Sequence, residues 1–451
     1  MPFTGFKVLS DLENFMRDYD YPRFEADKID HIAVFSTLKN MVDSDSFRGG
    51  DEMKWPIRVS DQLVARAHTE LAEIPEPGAA AYKNMSVNIK QIIVNAGITQ
   101  EALETATGGE NSFGVVVDEA VNMMFRDWDT LLTQISLGDG TGRLAKTKGS
   151  GGDVAQADGK YTLICTNTYN DFGWDNTSRI RVGQKVDVYD GATQKVFGAT
   201  VLSKTSTKRN NAGGIIENTV VLQSNSGSDV AVPQGSTIYV YGSKDKLPMG
   251  LLGILNTGSA FGVSAATFQG LSRTDYNIFK TPLYNATHLV SGGVAGTPCI
   301  WDLNDLTGIL IEVEENSGKI PTHLLCHPNM SRAINRMNNA NTQIVVSRVN
   351  DVQPAVGDMM AHTFMYDQGK TLSIVTDHNI PENVIYGICA PDLVVWSRGK
   401  FDFVRAYGTV WEPSRGSRVL TFEAPYKGWL QMGAWRTNTS FVVSDLRTNL
   451  S

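Results

Sequence analysis

The chain has 451 residues, of which 41% are hydrophobic and 20% are charged, and its formal net charge is −8. These values are typical of a folded protein with two or three domains, and they exclude a disordered or fibrous chain. The modest acidic charge and the absence of a long basic run argue against a dedicated nucleic-acid binder, but not against a surface that encloses nucleic acid.

The cysteines and the N-terminal sequence indicate where the protein matures. Four scattered cysteines form no CxxC pair, so we interpret them as free thiols in a reducing cytoplasm: Cys165, Cys299, Cys326 and Cys389. Asp11 and Glu13 stand where a signal peptide requires an apolar run. No stretch approaches the roughly 20 apolar residues of a membrane span. We therefore expect a soluble protein that is not secreted through a cleaved signal.

Residues 51–98 follow a polar and aromatic arm at 1–50 and predict two alternating strands joined by an acidic tip that contains Pro and Gly. Each strand has one apolar face, formed by Trp55, Ile57 and Val59 on the way out and by Val87, Ile89 and Ile93 on the way back. Ile92 and Val94 are predicted to point the other way. An isolated ribbon is marginal in water, so the rest of the chain or a second copy must cover these faces.

The strongest helix pattern in the sequence comes next. Apolar residues recur at spacings typical of one buried helix face: Val117, Val121, Met124, Trp128, Leu131 and Ile135. Gly108 and Gly109 precede this pattern, and the glycine-rich turn at 138–142 ends it. A helix of about 25 residues is nearly 40 Å long, so it can form the backbone of a domain.

Residues 143–159 indicate a linker, and residues 160–242 contain five short strand-like runs separated by turn clusters. This pattern predicts a small antiparallel barrel or sandwich, inserted as a domain of about 100 residues. Asp302 then stands where it can cap a helix ending at Gly318, and Pro328 opens a second helix. The runs Phe401–Val410 and Arg418–Phe422 resemble a long hairpin. Phe441–Val443 supplies a last strand.

We find no motif that indicates catalysis, a metal or a cofactor. Gly369-Lys370-Thr371 ends like a phosphate-binding loop, but Phe364 stands where that loop needs a glycine. His323 and His327 would share a strand face while Cys326 points away, and a zinc site needs three or four convergent ligands. By contrast, aromatic residues crowd the C-terminal part beside Arg398, Arg405, Arg415 and Arg418, a composition that suits protein–protein contact: Trp396, Tyr407, Trp411, Tyr426, Trp429 and Trp435. For any single one of these residues, ordinary sheet core or solvated charge is the better interpretation.

The order of these parts resembles the major capsid protein of tailed bacteriophages, which has the Hong Kong 97-like fold. The resemblance implies an α+β subunit with an N-terminal arm, an E-loop, a spine helix, a peripheral (P) domain and an axial (A) domain, here with an inserted small all-β domain. It divides the chain into the arm (1–50), the E-loop hairpin (51–98), the P domain with the spine helix (99–145), the inserted β-barrel or sandwich domain (146–245), a P-domain connector (246–294), the A domain (295–400), the P-domain hairpin (401–425) and the C-terminal strand of the A domain (426–451).

The resemblance implies a structural protein of the virion and no enzyme. Copies would assemble in the host cytoplasm into hexamers and pentamers of an icosahedral head shell, which encloses double-stranded DNA without sequence-specific binding. A portal and decoration proteins are implied partners, and no membrane is. Because the arm begins almost at Met1, without the family's scaffolding extension, we also expect a separate scaffolding protein.

Self-crosslinking members of the family join an E-loop lysine to a P-domain asparagine of a neighbour. The E-loop here contains Lys83 and Lys90, but no asparagine occurs between Asn383 and Asn438. We therefore expect a shell held together by non-covalent contacts.

In the resulting hypothesis, each E-loop lies over a neighbouring subunit and buries its apolar residues there. Its acidic tip would meet the basic hairpin of another subunit and set the register: Glu70, Glu73 and Glu76 against Arg405, Arg415 and Arg418. Two alternatives stay open. A carbohydrate-binding or hydrolytic β-domain protein accounts for 160–242 but not for the ribbon and the helix, and a cellular nanocompartment shell has the same fold.

Overall fold

A computed structural model of the chain describes residues 32–37, 41–43, 52–60, 81–99, 110–147, 153–156, 160–165, 177–204, 218–224, 232–255, 267–294, 299–341, 363–367, 370–398, 401–404, 411–413 and 421–447. These residues include six α-helices: α1 (Ala33–Thr37), α2 (Glu110–Ser136), α3 (Leu251–Leu255), α4 (Ala286–Leu289), α5 (Leu303–Ser317) and α6 (Pro328–Asn341).

The described strands are short, apart from three that reach ten residues or more. In chain order they are β1 (Met41–Asp43), β2 (Glu52–Ser60), β3 (Ala81–Asn88), β4 (Lys90–Thr99), β5 (Arg143–Lys146), β6 (Asp153–Gln156), β7 (Lys160–Cys165), β8 (Lys185–Asp190), β9 (Thr193–Lys204), β10 (Asn218–Gln223), β11 (Thr237–Val240), β12 (Thr267–Phe268), β13 (Leu271–Ser272), β14 (Leu283–Tyr284), β15 (His323–Cys326), β16 (Thr363–Asp367), β17 (Lys370–Thr376), β18 (Ile385–Ile388), β19 (Leu393–Ser397), β20 (Asp402–Phe403), β21 (Glu412–Pro413), β22 (Thr421–Ala434) and β23 (Phe441–Val443).

The long helix α2 packs against a sheet built around β22. In this sheet β22 pairs with β4, β19, β20 and β21, and β1 pairs with β19. Residues alternate along β22, so that Tyr426 and Gly428 face the helix. The Trp128 ring lies 5.0 Å from that of Tyr426, centroid to centroid. A side chain at position 428 would collide with Phe401 and crowd Trp128, so glycine is required where helix and sheet approach most closely.

The predicted ribbon divides between two sheets. β2 and β3 pair antiparallel from Glu52 opposite Asn88 to Ser60 opposite Ala81. After Ile89 the returning chain leaves β2, and β4 pairs with β22 over ten residue pairs. The hairpin prediction is therefore confirmed for β2 and β3. Residues 90–98 belong instead to the sheet around β22, which we call the main sheet.

The described strands between Arg143 and Val240 form a separate antiparallel sheet with the strand order β5-β11-β8-β9-β10-β7-β6. A bridge between Thr147 and Cys165 joins its first strand to β7, so that six strands close into a barrel. The barrel interior is apolar and includes Val186, Val188, Leu222 and Ile238, each fully buried. The predicted linker at 143–159 is wrong in part, because this segment supplies β5 and β6.

A third unit combines a six-stranded mixed sheet, in the order β14-β23-β18-β15-β17-β16, with helices α5 and α6. Helix α5 begins and ends as predicted. The Asp302 side chain accepts a hydrogen bond from the Asp305 backbone N–H at 2.9 Å, and Gly318 ends the helix with φ of 69°. The C-terminal strand β23 lies inside this sheet, between β14 and β18.

Candidate assembly site

The base of the β2–β3 ribbon is anchored in the core of its own chain by a cluster of tryptophans. The Trp55 ring lies 5.1 Å from Trp396 and 5.3 Å from Trp435, measured between centroids. On the opposite strand, Met85 and Val87 are buried as well. Aromatic pairs at these distances stabilise a fold beyond their buried area, so this base is a fixed attachment point.

A tight turn between β12 and β13 holds the ribbon from the other side. Gln269 and Gly270 both adopt positive φ, 50° and 82°, as a two-residue hairpin turn of type I′ requires. The Gln269 carbonyl accepts a hydrogen bond from the Ser86 N–H at 2.9 Å. A Cβ at position 270 would lie 3.0 Å from the Ser86 hydroxyl oxygen, so the turn approaches β3 closely.

Lys90 fixes the point where the chain passes from the ribbon to the main sheet. Its ammonium group donates hydrogen bonds to the carbonyl oxygens of Asp245, at 3.2 Å, and Leu247, at 2.8 Å. Burial lowers the pKa of this lysine, and the carboxylates of Asp245 and Asp139 partly oppose that effect. The other two lysines of the ribbon, Lys54 and Lys83, are exposed.

The outer half of the ribbon has little cover from its own chain. Tyr82 is 63% exposed, and Lys83 and Asn84 beside it are also exposed. Ile57 and Val59 on the paired strand are only partly buried. Ordered strands with this much exposed apolar and aromatic surface are typical of a contact with another molecule.

A second exposed surface lies on the face of the β4–β22 sheet that points away from α2. Ile93 is 55% exposed and stands opposite Lys427 on β22. Next along the strand, the Asn95 side chain donates a hydrogen bond to the Glu423 carboxylate at 3.1 Å. On this face the exposed Ile93 therefore lies among charged and polar neighbours.

The structure changes the interpretation of the E-loop contact residues. Trp55, Val87 and Ile89 are buried by their own chain, so they are not available to a second copy as predicted. Ile93 does not share their face: the strand break after Ile89 turns Ile92 inward and Ile93 outward. Met85 was not among the predicted residues, although its spacing of two from Val87 is the signal of a shared strand face.

The charged partners predicted for the tip and the hairpin lie outside the described residues: Glu70, Glu73, Glu76, Arg405, Arg415 and Arg418. For the helix, the predicted face is confirmed at Met124, Trp128 and Ile135, which are buried. Val121 and Leu131 are half-buried, and the Val117 side chain lies outside the described set. Phe125 and Leu132 are also buried, because the contact face of α2 is wider than a single stripe.

Among the described residues, no group of three or more His, Cys, Asp or Glu side chains is placed to hold a metal ion. None of the described helices has the length and apolar character needed to cross a membrane. The described thiols are buried or half-buried, and burial raises the pKa of Cys326 to about 12 and that of Cys389 to about 11. Such thiols are poor nucleophiles at neutral pH.

No family model matches the chain, and no curated protein matches it. Similar solved structures include a chain of the cyanophage A-1(L) capsid asymmetric unit, with a TM-score of 0.47, 10% identity and 92% of each chain covered. A chain of the satellite phage P4 procapsid has a TM-score of 0.40 and 7% identity, covering 99% of this chain and 98% of that chain. A chain of the SrpI encapsulin complex from Synechococcus elongatus has a TM-score of 0.34 and 9% identity, covering 87% and 83%.

Proposed function

We propose that the chain is a major capsid protein of a tailed phage, which assembles into hexamers and pentamers of an icosahedral head shell around double-stranded DNA. One observation carries the proposal. The β2–β3 ribbon is rooted in its own core through Trp55, whereas its outer half, with Tyr82 at 63% exposure, is uncovered. A subunit built to lie over a sibling needs this combination of a fixed base and an unsatisfied outer half.

The order of the described elements supports the same proposal. The ribbon precedes the long helix α2, the barrel follows that helix, and the α/β unit with α5 and α6 comes before the strands that return to the main sheet. Apart from the barrel, which would be an added domain, this is the order of E-loop, spine helix, A domain and P-domain hairpin in the Hong Kong 97-like subunit. A scaffolding protein, a portal and decoration proteins are the partners that such a subunit would use.

In the proposed contact, the outer ribbon of one subunit lies over a neighbour and covers apolar surface there. Ile57, Val59 and Tyr82 supply the ribbon's share, and Ile93 is an exposed apolar residue of the same chain that a neighbour can cover. Glu70, Glu73 and Glu76 would set the register against Arg405, Arg415 and Arg418. Exposed ion pairs contribute only about 0–1 kcal/mol each, so the apolar contact dominates the stability of the shell.

We also propose that the shell is held without covalent crosslinks. The Lys90 amine is engaged by two carbonyl oxygens of its own chain, and no asparagine occurs between Asn383 and Asn438. Denaturing gels of mature particles should therefore show a single band at the 49.3 kDa monomer. A ladder of higher bands would contradict this part of the proposal.

Electron microscopy and analytical ultracentrifugation of the purified full chain test the assembly itself. We expect shells or capsomer rings, and particles formed in the phage host should contain nucleic acid, measured by the ratio of absorbance at 260 and 280 nm. A monodisperse monomer at high concentration, with neither rings nor shells, would overturn the proposal. Particles that contain only protein cargo would support a nanocompartment shell in its place.

A further inference from the structure

Two pairs of aromatic rings lie on the outside of the barrel. The Tyr189 and Tyr239 rings meet edge to face with centroids 5.4 Å apart, and the Phe197 and Tyr241 rings do so at 5.1 Å. Phe197 is 61% exposed and Tyr241 is 42% exposed. We call these four residues the aromatic face. The barrel interior is already filled by buried aliphatic residues, so the face is not part of that core.

A buried carboxylate holds the aromatic face in one conformation. Asp187 is 1% exposed and stands opposite Tyr239 in the strand register. Its two oxygens accept hydrogen bonds from the backbone N–H groups of Gly198 and Gly242, each at 2.8 Å. Both glycines have positive φ, 60° and 62°. Because these bonds tie β8 to β9 and to the end of β11, the rings are pre-organised for a contact.

Two lysines lie over the rings of the aromatic face. Burial raises the pKa of Tyr189, and the nearby carboxylates of Asp187 and Asp245 raise it further. The Lys244 ammonium lies 4.1 Å from the Tyr189 ring centroid and 5.5 Å from that of Tyr239, and it donates a hydrogen bond to the Gly191 carbonyl at 2.9 Å. The Lys185 ammonium lies 6.0 Å from the Tyr241 ring centroid. Cations held over aromatic rings are a common feature of protein contact surfaces.

The charge of the chain is unevenly divided between the barrel and the rest. Residues 143–250 contain 13 Lys and Arg against 9 Asp and Glu, a net charge of +4. The whole chain has 40 basic and 48 acidic residues, a net charge of −8, so the remainder has −12. The barrel segment of one copy and the remainder of another copy therefore have net charges of opposite sign.

Helix α5 presents a surface that matches the aromatic face. Gly308, Ile311, Glu312 and Glu315 are all exposed and recur at helical spacing, so they form one stripe. Ile311 is 42% exposed, and nothing lies within 4 Å of the position where a Cβ of Gly308 would be. The stripe thus offers an aliphatic residue, room for an aromatic ring and two carboxylates, of which that of Glu312 also accepts a hydrogen bond from the Tyr284 hydroxyl of its own chain.

We infer that the aromatic face of the barrel docks on the α5 stripe of a second copy of this chain. The inference rests on the proposed function, because it requires copies that assemble. Phe197 and Tyr241 pack against Ile311 and Gly308, while Lys185 and Lys244 pair with Glu312 and Glu315. The barrel is then a brace between subunits that is independent of the ribbon.

A charge-reversal experiment tests the inference. The double variant Lys185→Glu and Lys244→Glu should raise the protein concentration needed for half-maximal particle formation by roughly tenfold. The double variant Glu312→Lys and Glu315→Lys should have the same effect. In each case the exchange replaces attractions between copies by repulsions. Combining all four substitutions should restore assembly to near the wild-type concentration. Light scattering and analytical ultracentrifugation measure the effect, and circular dichroism melting verifies that each variant is folded.

Lys160 supplies the matched control, because it is exposed on β7, three strands from β8 around the barrel. Lys160→Glu should leave assembly unchanged, and it should not rescue Glu315→Lys. If the wild-type chain assembles and the reversal of Lys185 and Lys244 has no effect, this inference alone is overturned. If the wild-type chain never assembles, the proposed function is overturned. The variant in which Lys185 and Lys244 are changed to Glu could also assemble normally but lose binding to a single-stranded oligonucleotide. That result would assign the aromatic face to nucleic acid and overturn the inference.

Discussion

The rings of Trp55 and Trp396 lie 5.1 Å apart with an interplanar angle of 43°, which fastens the outgoing strand of the ribbon to a strand of the main sheet in the same chain. The two residues are 341 positions apart in sequence. The ribbon base therefore belongs to the fold of the single subunit, whereas the outer half stays exposed and is the part that we propose contacts a neighbour.

Replacing Trp55 should destabilise the isolated subunit. Trp55→Ala is expected to lower the free energy of unfolding by about 3–5 kcal/mol, because it leaves a cavity beside Trp396 and Trp435. Trp55→Phe should cost less, since it keeps a ring and the buried indole N–H has no hydrogen-bond partner among the described residues. Urea denaturation followed by circular dichroism measures both. An unchanged midpoint for Trp55→Ala would contradict a base anchored in its own core.

Replacing exposed residues of the ribbon and the main sheet should leave the stability of the subunit nearly unchanged and lower the particle yield. Tyr82→Ser and Ile93→Ser should change the free energy of unfolding by no more than about 0.5 kcal/mol, because both side chains are mostly exposed, yet particle yield should fall. Val182→Ser is the matched control, since Val182 is 60% exposed in a turn of the barrel. If all three variants formed particles equally well, the surface contact proposed for the ribbon would be wrong.

The tip charges are expected to set register and not to supply most of the affinity. Changing Glu70, Glu73 and Glu76 together to Lys should impair assembly, whereas changing them to Gln should weaken it only slightly, because each exposed pair is worth about 0–1 kcal/mol. Reversing Arg405, Arg415 and Arg418 to Glu in the same chain should restore particles. Particle yield by sedimentation measures the outcome, and a normal yield from the lysine variant would remove the proposed role of these charges.

The sequence predicted local features well and pairing between distant strands less well. The apolar spacing around Met124 and Trp128 identified the buried face of α2, and the cap at Asp302 identified the start of α5, because both signals are local. The division of the returning strand at Ile89 had no such signal. Side chains along a strand alternate between its two faces, so a single irregular residue exchanges the side chains that point inward with those that point outward. For this reason Ile93 is exposed and Ile92 is buried.

Alkaline pH should destabilise the subunit partly through Cys326, which lies in the core beneath α6. Burial raises the pKa of this thiol from 9.0 to about 12 in the folded chain. Between these values the unfolded thiol loses its proton while the folded one keeps it, so the unfolded state binds fewer protons and stability falls as pH rises. Below pH 9 the contribution is fully present. Cys326→Ala should therefore show a smaller loss of stability between pH 8 and 10.5 than wild type, by urea denaturation.

Cys299 provides the comparison for this measurement. Its thiol is only half-buried, and burial raises its pKa as well. Cys299→Ala should reduce the alkaline loss less than Cys326→Ala does, because the more accessible thiolate is better solvated in the folded chain. Equal pH dependence in wild type and Cys326→Ala would show that the buried thiol does not contribute, and the alkaline loss would then belong to the buried tyrosines, Tyr386 among them, whose pKa burial also raises.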